Sequence, residues 1–132
     1  MRIASLALVG VTLAALAGCS RPPLLVRVHG KVTVNGLPLR TGTVGFAPDV
    51  QHGTHGPVSY AVLDEDGVFE LTSDNGLGAV VGWHRVTVAP PPDSTDLIVA
   101  LERYRDPELS GLRFEVKAGQ ENEFTIAITW EQ

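Results

Sequence analysis

Val26, Val28, Gly30, Val32 and Val34 alternate with Arg27, His29, Lys31 and Thr33. A two-residue period with β-branched side chains on one side predicts a half-buried strand. Asn35-Gly36 follows, and because both positions tolerate positive φ the pair predicts a hairpin turn. A second short strand holds Val44 and Phe46 and stops at Pro48, since proline gives no ladder N–H. The run from Gln51 to Pro57 is a loop by its glycines and proline. Val58, Tyr60 and Val62 then alternate with Ser59 and Ala61 as a third strand.

Asp64-Glu65-Asp66-Gly67 turns the chain into a fourth strand carrying Phe69 and Leu71. A fifth spans Trp83 to Ala89 and ends at Pro90-Pro91-Pro92. The stretch 93–111 lacks strand character, and Asp96 is placed to cap a short helix with Leu97, Leu101 and Tyr104 on one face. Asp106-Pro107 ends that helix. Leu112, Phe114 and Val116 form a sixth strand, and Phe124, Ile126, Ile128 and Trp130 a seventh. Seven short strands punctuated by Gly and Asn turns predict an all-β fold, a seven-stranded antiparallel β-sandwich with one short helical crossover.

The first residues follow a different rule. Met1-Arg2 is a short cationic start, and Ile3 to Leu16 carries no charge. Those residues are too few to span a bilayer, which takes about twenty, so the segment reads as a cleavable export signal. Leu16-Ala17-Gly18-Cys19 closes it with small residues and the one cysteine of the chain. This run resembles a bacterial lipobox. The resemblance implies cleavage before Cys19 and fatty acyl chains on its sulfur and new amino group. The organisation expected is a signal peptide over 1–18, a lipidated cysteine and linker over 19–24, and one domain over 25–132. Two or three acyl chains anchor firmly where one holds weakly. Ser20 stands where aspartate resembles an inner-membrane retention signal, so in a two-membrane cell the outer membrane is favoured. From Ser20 to Leu24 the tether spans roughly 20 Å at most, and Pro22-Pro23 stiffens it.

Removing residues 1–18 takes away Arg2 and moves the formal charge from −5 to −6. A mildly acidic chain without a basic cluster argues against nucleic acid and against electrostatic attachment to anionic headgroups.

Longer stretches carry a second resemblance. Val28 to Leu39, the hairpin Asp64-Glu65-Asp66-Gly67-Val68-Phe69-Glu70-Leu71 and the strand Gly82 to Val88 resemble carboxypeptidase-regulatory-like domains. Tyr104 to Leu112 looks like a segment of small bacterial lipoproteins of that type. The resemblance implies a transthyretin-like (prealbumin-like) sandwich and is nearly silent about activity, since sandwiches of this sort host many roles; in carboxypeptidases the module is an accessory to a separate catalytic domain.

Candidate chemistry is sparse. Transthyretin-like hydrolases end in Tyr-Arg-Gly-Ser, whereas this chain ends in Thr129-Trp130-Glu131-Gln132, and no nucleophile pairs with a base. His52 and His55, with His29 or His84, lack the companions of a metal site. Asp64, Glu65 and Asp66 read as a charged turn with Gly67 at positive φ. Lys31 and Glu70 have outward parity, which disfavours an isopeptide cross-link. No cofactor and no metal is expected. Trp83 shares parity with Arg85 and Thr87, whereas His84 faces the core as a satisfied histidine. Trp83, Arg85 and Tyr104 are the candidate ligand-binding residues.

The expectation is a non-enzymatic envelope lipoprotein, held in the membrane through Cys19, that binds or organises a surface protein or glycan. The alternative is a carbohydrate- or peptide-binding module using Trp83 or the 93–111 crossover.

Overall fold

A computed structural model describes residues 24–131; the expected leader and Cys19 lie outside the described residues. Strands β1 (Leu25–Val26), β2 (Val28–Val34), β3 (Leu37–Pro38), β4 (Thr43–Pro48) and β5 (Ser59–Val62) open the chain. After them come β6 (Val68–Glu70), β7 (Thr72–Ser73), β8 (Gly76–Leu77), β9 (Ala79–Val80) and β10 (Gly82–Ala89). The crossover holds α1 (Thr95–Ala100) and a 3-10 turn at Glu102–Arg105, before β11 (Leu112–Val116) and β12 (Asn122–Ile128).

One sheet runs β11-β10-β4-β5-β7-β8; the other runs β12-β2-β3, with β6 also paired to β2. Short β1 pairs with β9. Valines of β2 and isoleucines of β12 meet Val44, Phe46, Val86 and Val88 of the larger sheet, all buried. Phe46 spans the layers, its ring 6.3 Å from Phe69 and 5.8 Å from Phe124. The all-β sandwich follows directly from the alternation, because each sheet has one apolar face that only the other can cover.

Four features depart from the sequence expectation. The seven expected strands are present, but short β1, β3 and β7–β9 bring the described segments to twelve. The sandwich is not antiparallel throughout, since β12 lies parallel to β2 with Phe124 beside Gly30. The turn at 117–121 carries the chain from β11 in one sheet to β12 in the other, so no hairpin pairing fixes its direction. On β5 the larger set Val58, Tyr60 and Val62 faces out, while Ser59 and Ala61 are buried. The buried Ser59 hydroxyl is satisfied there, its Oγ donating to the Gly78 carbonyl at 2.9 Å. Finally, Ser94 rather than Asp96 occupies the N-cap of α1, without a side-chain cap bond.

Leu101 of the crossover is fully buried, with Leu97 and Tyr104 packed beside it, so the segment closes the sandwich as its apolar face required. The Asp64 hairpin is an Asx turn, with Oδ1 accepting from the N–H groups of Asp66 and Val68 at 2.9 Å each. Gly67 closes the turn at φ +73, a conformation open to glycine, and a Cβ there would stand 2.6 Å from the Val32 carbonyl oxygen. Lys31 and Glu70 are exposed, as their parity requires.

Candidate functional site

The densest polar cluster stands where β4 ends and β10 begins. Asp49 follows the strand-ending Pro48 and caps a 3-10 turn at Val50–His52, accepting from Gln51 N–H at 3.1 Å. Its other oxygen lies 2.7 Å from His52 Nδ1 and accepts from Arg113 at 3.3 Å. Arg85 Nε is 3.5 Å from Asp49 Oδ1. The far end of Arg85 binds Glu108, and its Nη2 donates to Gln51 Oε1 at 2.9 Å. Arg85 and Arg113 are direct cross-strand partners, an arrangement of like charges that is destabilising alone. Asp49 between them removes the repulsion.

Asp49 is 1% exposed. Burial pushes its pKa up, but the His52 hydrogen bond, the Arg85 charge and the Gln51 N–H outweigh it and hold the carboxyl below its usual range. The cluster thereby ties the 50–52 turn and the crossover, through Glu108, to the outer face of the large sheet.

Trp83 stands against this frame. Its carbonyl accepts from Asp49 N–H at 2.9 Å, and its ring centroid is 5.9 Å from that of His52. The indole remains 39% exposed and borders a groove of about 300 Å³ lined by Arg113, Phe114, Glu115 and Phe124 among others. Phe114 and Phe124 stack at 4.8 Å where the edges of the two sheets meet.

Of the residues expected to bind a ligand, Trp83 is accessible as its parity required. Arg85 is not: it has outward parity but is only 8% exposed, since Glu108, Gln51 and Asp49 cover it. Tyr104 is half-buried against the core, with the Arg103 guanidinium 5.3 Å from its ring centre, and does not line the groove. His84 faces the core, but the expectation of a satisfied ring holds for one nitrogen only. Nδ1 lies 2.9 Å from the Gly82 carbonyl oxygen, whereas Nε2 is buried without a partner among the described residues. Burial lowers its pKa, against the Gly82 bond and the Asp49 charge.

Asp49 and His52 make a carboxylate–imidazole contact at 2.7 Å, and among the described residues no hydroxyl hydrogen-bonds to His52. No group of three His, Cys, Asp or Glu side chains is arranged to hold a metal among the described residues. Asp49, Gln51, Glu108 and Arg113 were not singled out from sequence. The legible signal was an aspartate after a strand-ending proline with histidine three residues on, an N-cap pattern. Comparison with protein-family models, with characterised proteins and with solved structures finds no match.

Proposed function

We propose that this chain is a lipid-anchored, non-enzymatic protein of the bacterial cell envelope, outer membrane where there are two, whose sandwich binds or organises neighbouring surface components. The observation that carries the reading is Leu16-Ala17-Gly18-Cys19, placed four residues before the point where Leu24 meets the folded domain. Pairing of β1 with β9 fixes where the tether leaves the domain. The resemblance of Val28 to Leu39 and of the Asp64 to Leu71 hairpin to carboxypeptidase-regulatory-like modules, which are accessory domains, supports a role without chemistry of its own. Metabolic labelling with a palmitate analogue should mark the protein, and Cys19→Ser should remove the label and release the domain to the soluble fraction. An unlabelled, soluble wild type would overturn the reading.

The exposed Trp83 beside its groove favours a second reading, a carbohydrate- or peptide-binding module. A glycan array on the acyl-free domain tests it; signal lost in Trp83→Ala supports it, and silence counts against it.

A further inference from the structure

How the domain would sit on a membrane rests on the lipid-anchored reading of Cys19. Four strand ends come together where the tether joins. β2 starts at Val28 opposite Asn122 of β12, and Asn122 Oδ1 accepts from Lys117 N–H at the end of β11. Val116 of β11 pairs with Gly82 at the start of β10. Leu25 pairs with Val80, and Leu24 and Val81 are the next residues outward on the two antiparallel strands. Exposed apolar side chains gather at this end: Leu24 at 66%, Val81 at 40%, Trp83 at 39%, Val50 at 64% and Val58 at 53%. Trp83 follows Val81 by two residues, and Val50 follows Asp49, whose N–H binds the Trp83 carbonyl.

We infer that this rim is a membrane-contact surface, seated at the interface of the bilayer that holds Cys19. The length of chain outside the fold selects that occupant. Ser20 to Pro23 are four residues, which extended reach on the order of 13 Å. Interfacial side chains bury roughly 5–10 Å into the headgroup boundary, so this tether keeps the entry end of the domain within reach of that layer. Tryptophan suits it, with an apolar body and one N–H for the wet side. The contact is apolar, not electrostatic: Arg27 is paired with Glu70 and Lys117 with Glu115, and the domain is acidic. The arrangement directs the opposite end away from the membrane. There Asn35 clamps Trp130 through Nδ2 to its carbonyl at 2.9 Å and Oδ1 to its N–H at 2.7 Å. Seven residues of β2 separate the two ends, roughly 20 Å.

The two tryptophans report on the two ends. The full lipidated protein is reconstituted into phosphatidylcholine vesicles whose chains are brominated near the ester, with Trp130→Phe isolating Trp83 and Trp83→Phe isolating Trp130. Trp83 emission should shift to shorter wavelength and be quenched, equally with and without anionic lipid, while Trp130 emission is unchanged. The double variant Leu24→Asp, Val81→Asp should still float with vesicles but lose the Trp83 quenching. Flotation without Trp83 quenching, or equal quenching of both tryptophans, overturns the inference and leaves the anchor standing. Failure to float overturns the anchor and this orientation together. If Trp83 is untouched by lipid but its emission responds to a glycan, the rim is a glycan site.

Discussion

Replacing Gly30 by alanine tests the parallel pairing of β2 with β12, which the alternation of residues did not reveal. Gly30 lies in β2 with an ordinary extended backbone, so alanine meets no φ penalty of its own. A Cβ there would stand 2.0 Å from the Phe124 carbonyl oxygen and 2.8 Å from Phe69 Cζ, where real contacts stay beyond 3.0 Å. The β2–β12 ladder must therefore open by at least about 1 Å, beyond what a hydrogen bond tolerates. Two ladder bonds lost contribute about 2 kcal/mol, and overpacking against Phe69 about 1–3 more. Reduced freedom of the unfolded chain returns about 0.4–1. The net expected loss is about 3 kcal/mol. With a urea slope of about 1.5 kcal/mol/M, the unfolding midpoint of the acyl-free domain should fall by about 2 M. Gly45→Ala is the control: its Cβ would meet only Thr87 Oγ1, at 2.8 Å, and a hydroxyl can rotate away. Equal midpoints for Gly30→Ala and wild type would refute the parallel placement of β12 on β2.

Four further outcomes follow from the same contacts. Asp49 has its pKa lowered in the fold, so its stabilisation is present above the ordinary value of 3.8 and is lost as pH falls through the lower folded value; thermal melts should show the Asp49→Asn deficit shrinking in acid. His84 is also lowered, from 6.5, and the neutral ring favoured by folding makes wild type lose stability as pH drops below that value. His84→Phe should flatten this dependence between pH 7 and 5 in the same melts. Leu101→Ala, at a fully buried position of the crossover, should cost about 2–5 kcal/mol in urea unfolding. Asn35→Ala should cost about 1–2 kcal/mol through two lost hydrogen bonds and a residue at φ +51, and should red-shift Trp130 emission in a Trp83→Phe background.

Local rules carried most of the architecture. Alternation in 26–34, 82–89 and 112–116 placed strands because a sheet residue points to one face or the other, and the turns at Asn35-Gly36 and Asp64–Gly67 follow from φ and side-chain acceptors within a few residues. The apolar face of 97–104 likewise stated that the crossover must cover something. Parity failed where several elements share one face. Arg85 has outward parity, but the neighbourhood that buries it comes from residues 49–52, 108 and 113, far apart along the chain. On β5, the apolar set with the larger volume faces out, while Ser59 is buried with its hydroxyl donating to the Gly78 carbonyl, a partner 19 residues away that alternation cannot show.

By itself, the order of residues determined an all-β chain, its turn positions, its acidic balance and the small-residue run that ends at Cys19, since each depends on neighbours in sequence. The tertiary structure alone decided the direction of β12, the enclosure of Asp49 between two arginines, and the pairing of Leu25 with Val80 at the end where Trp83 is exposed. Those outcomes depend on which strand ends come together in space, and no local periodicity encodes that choice.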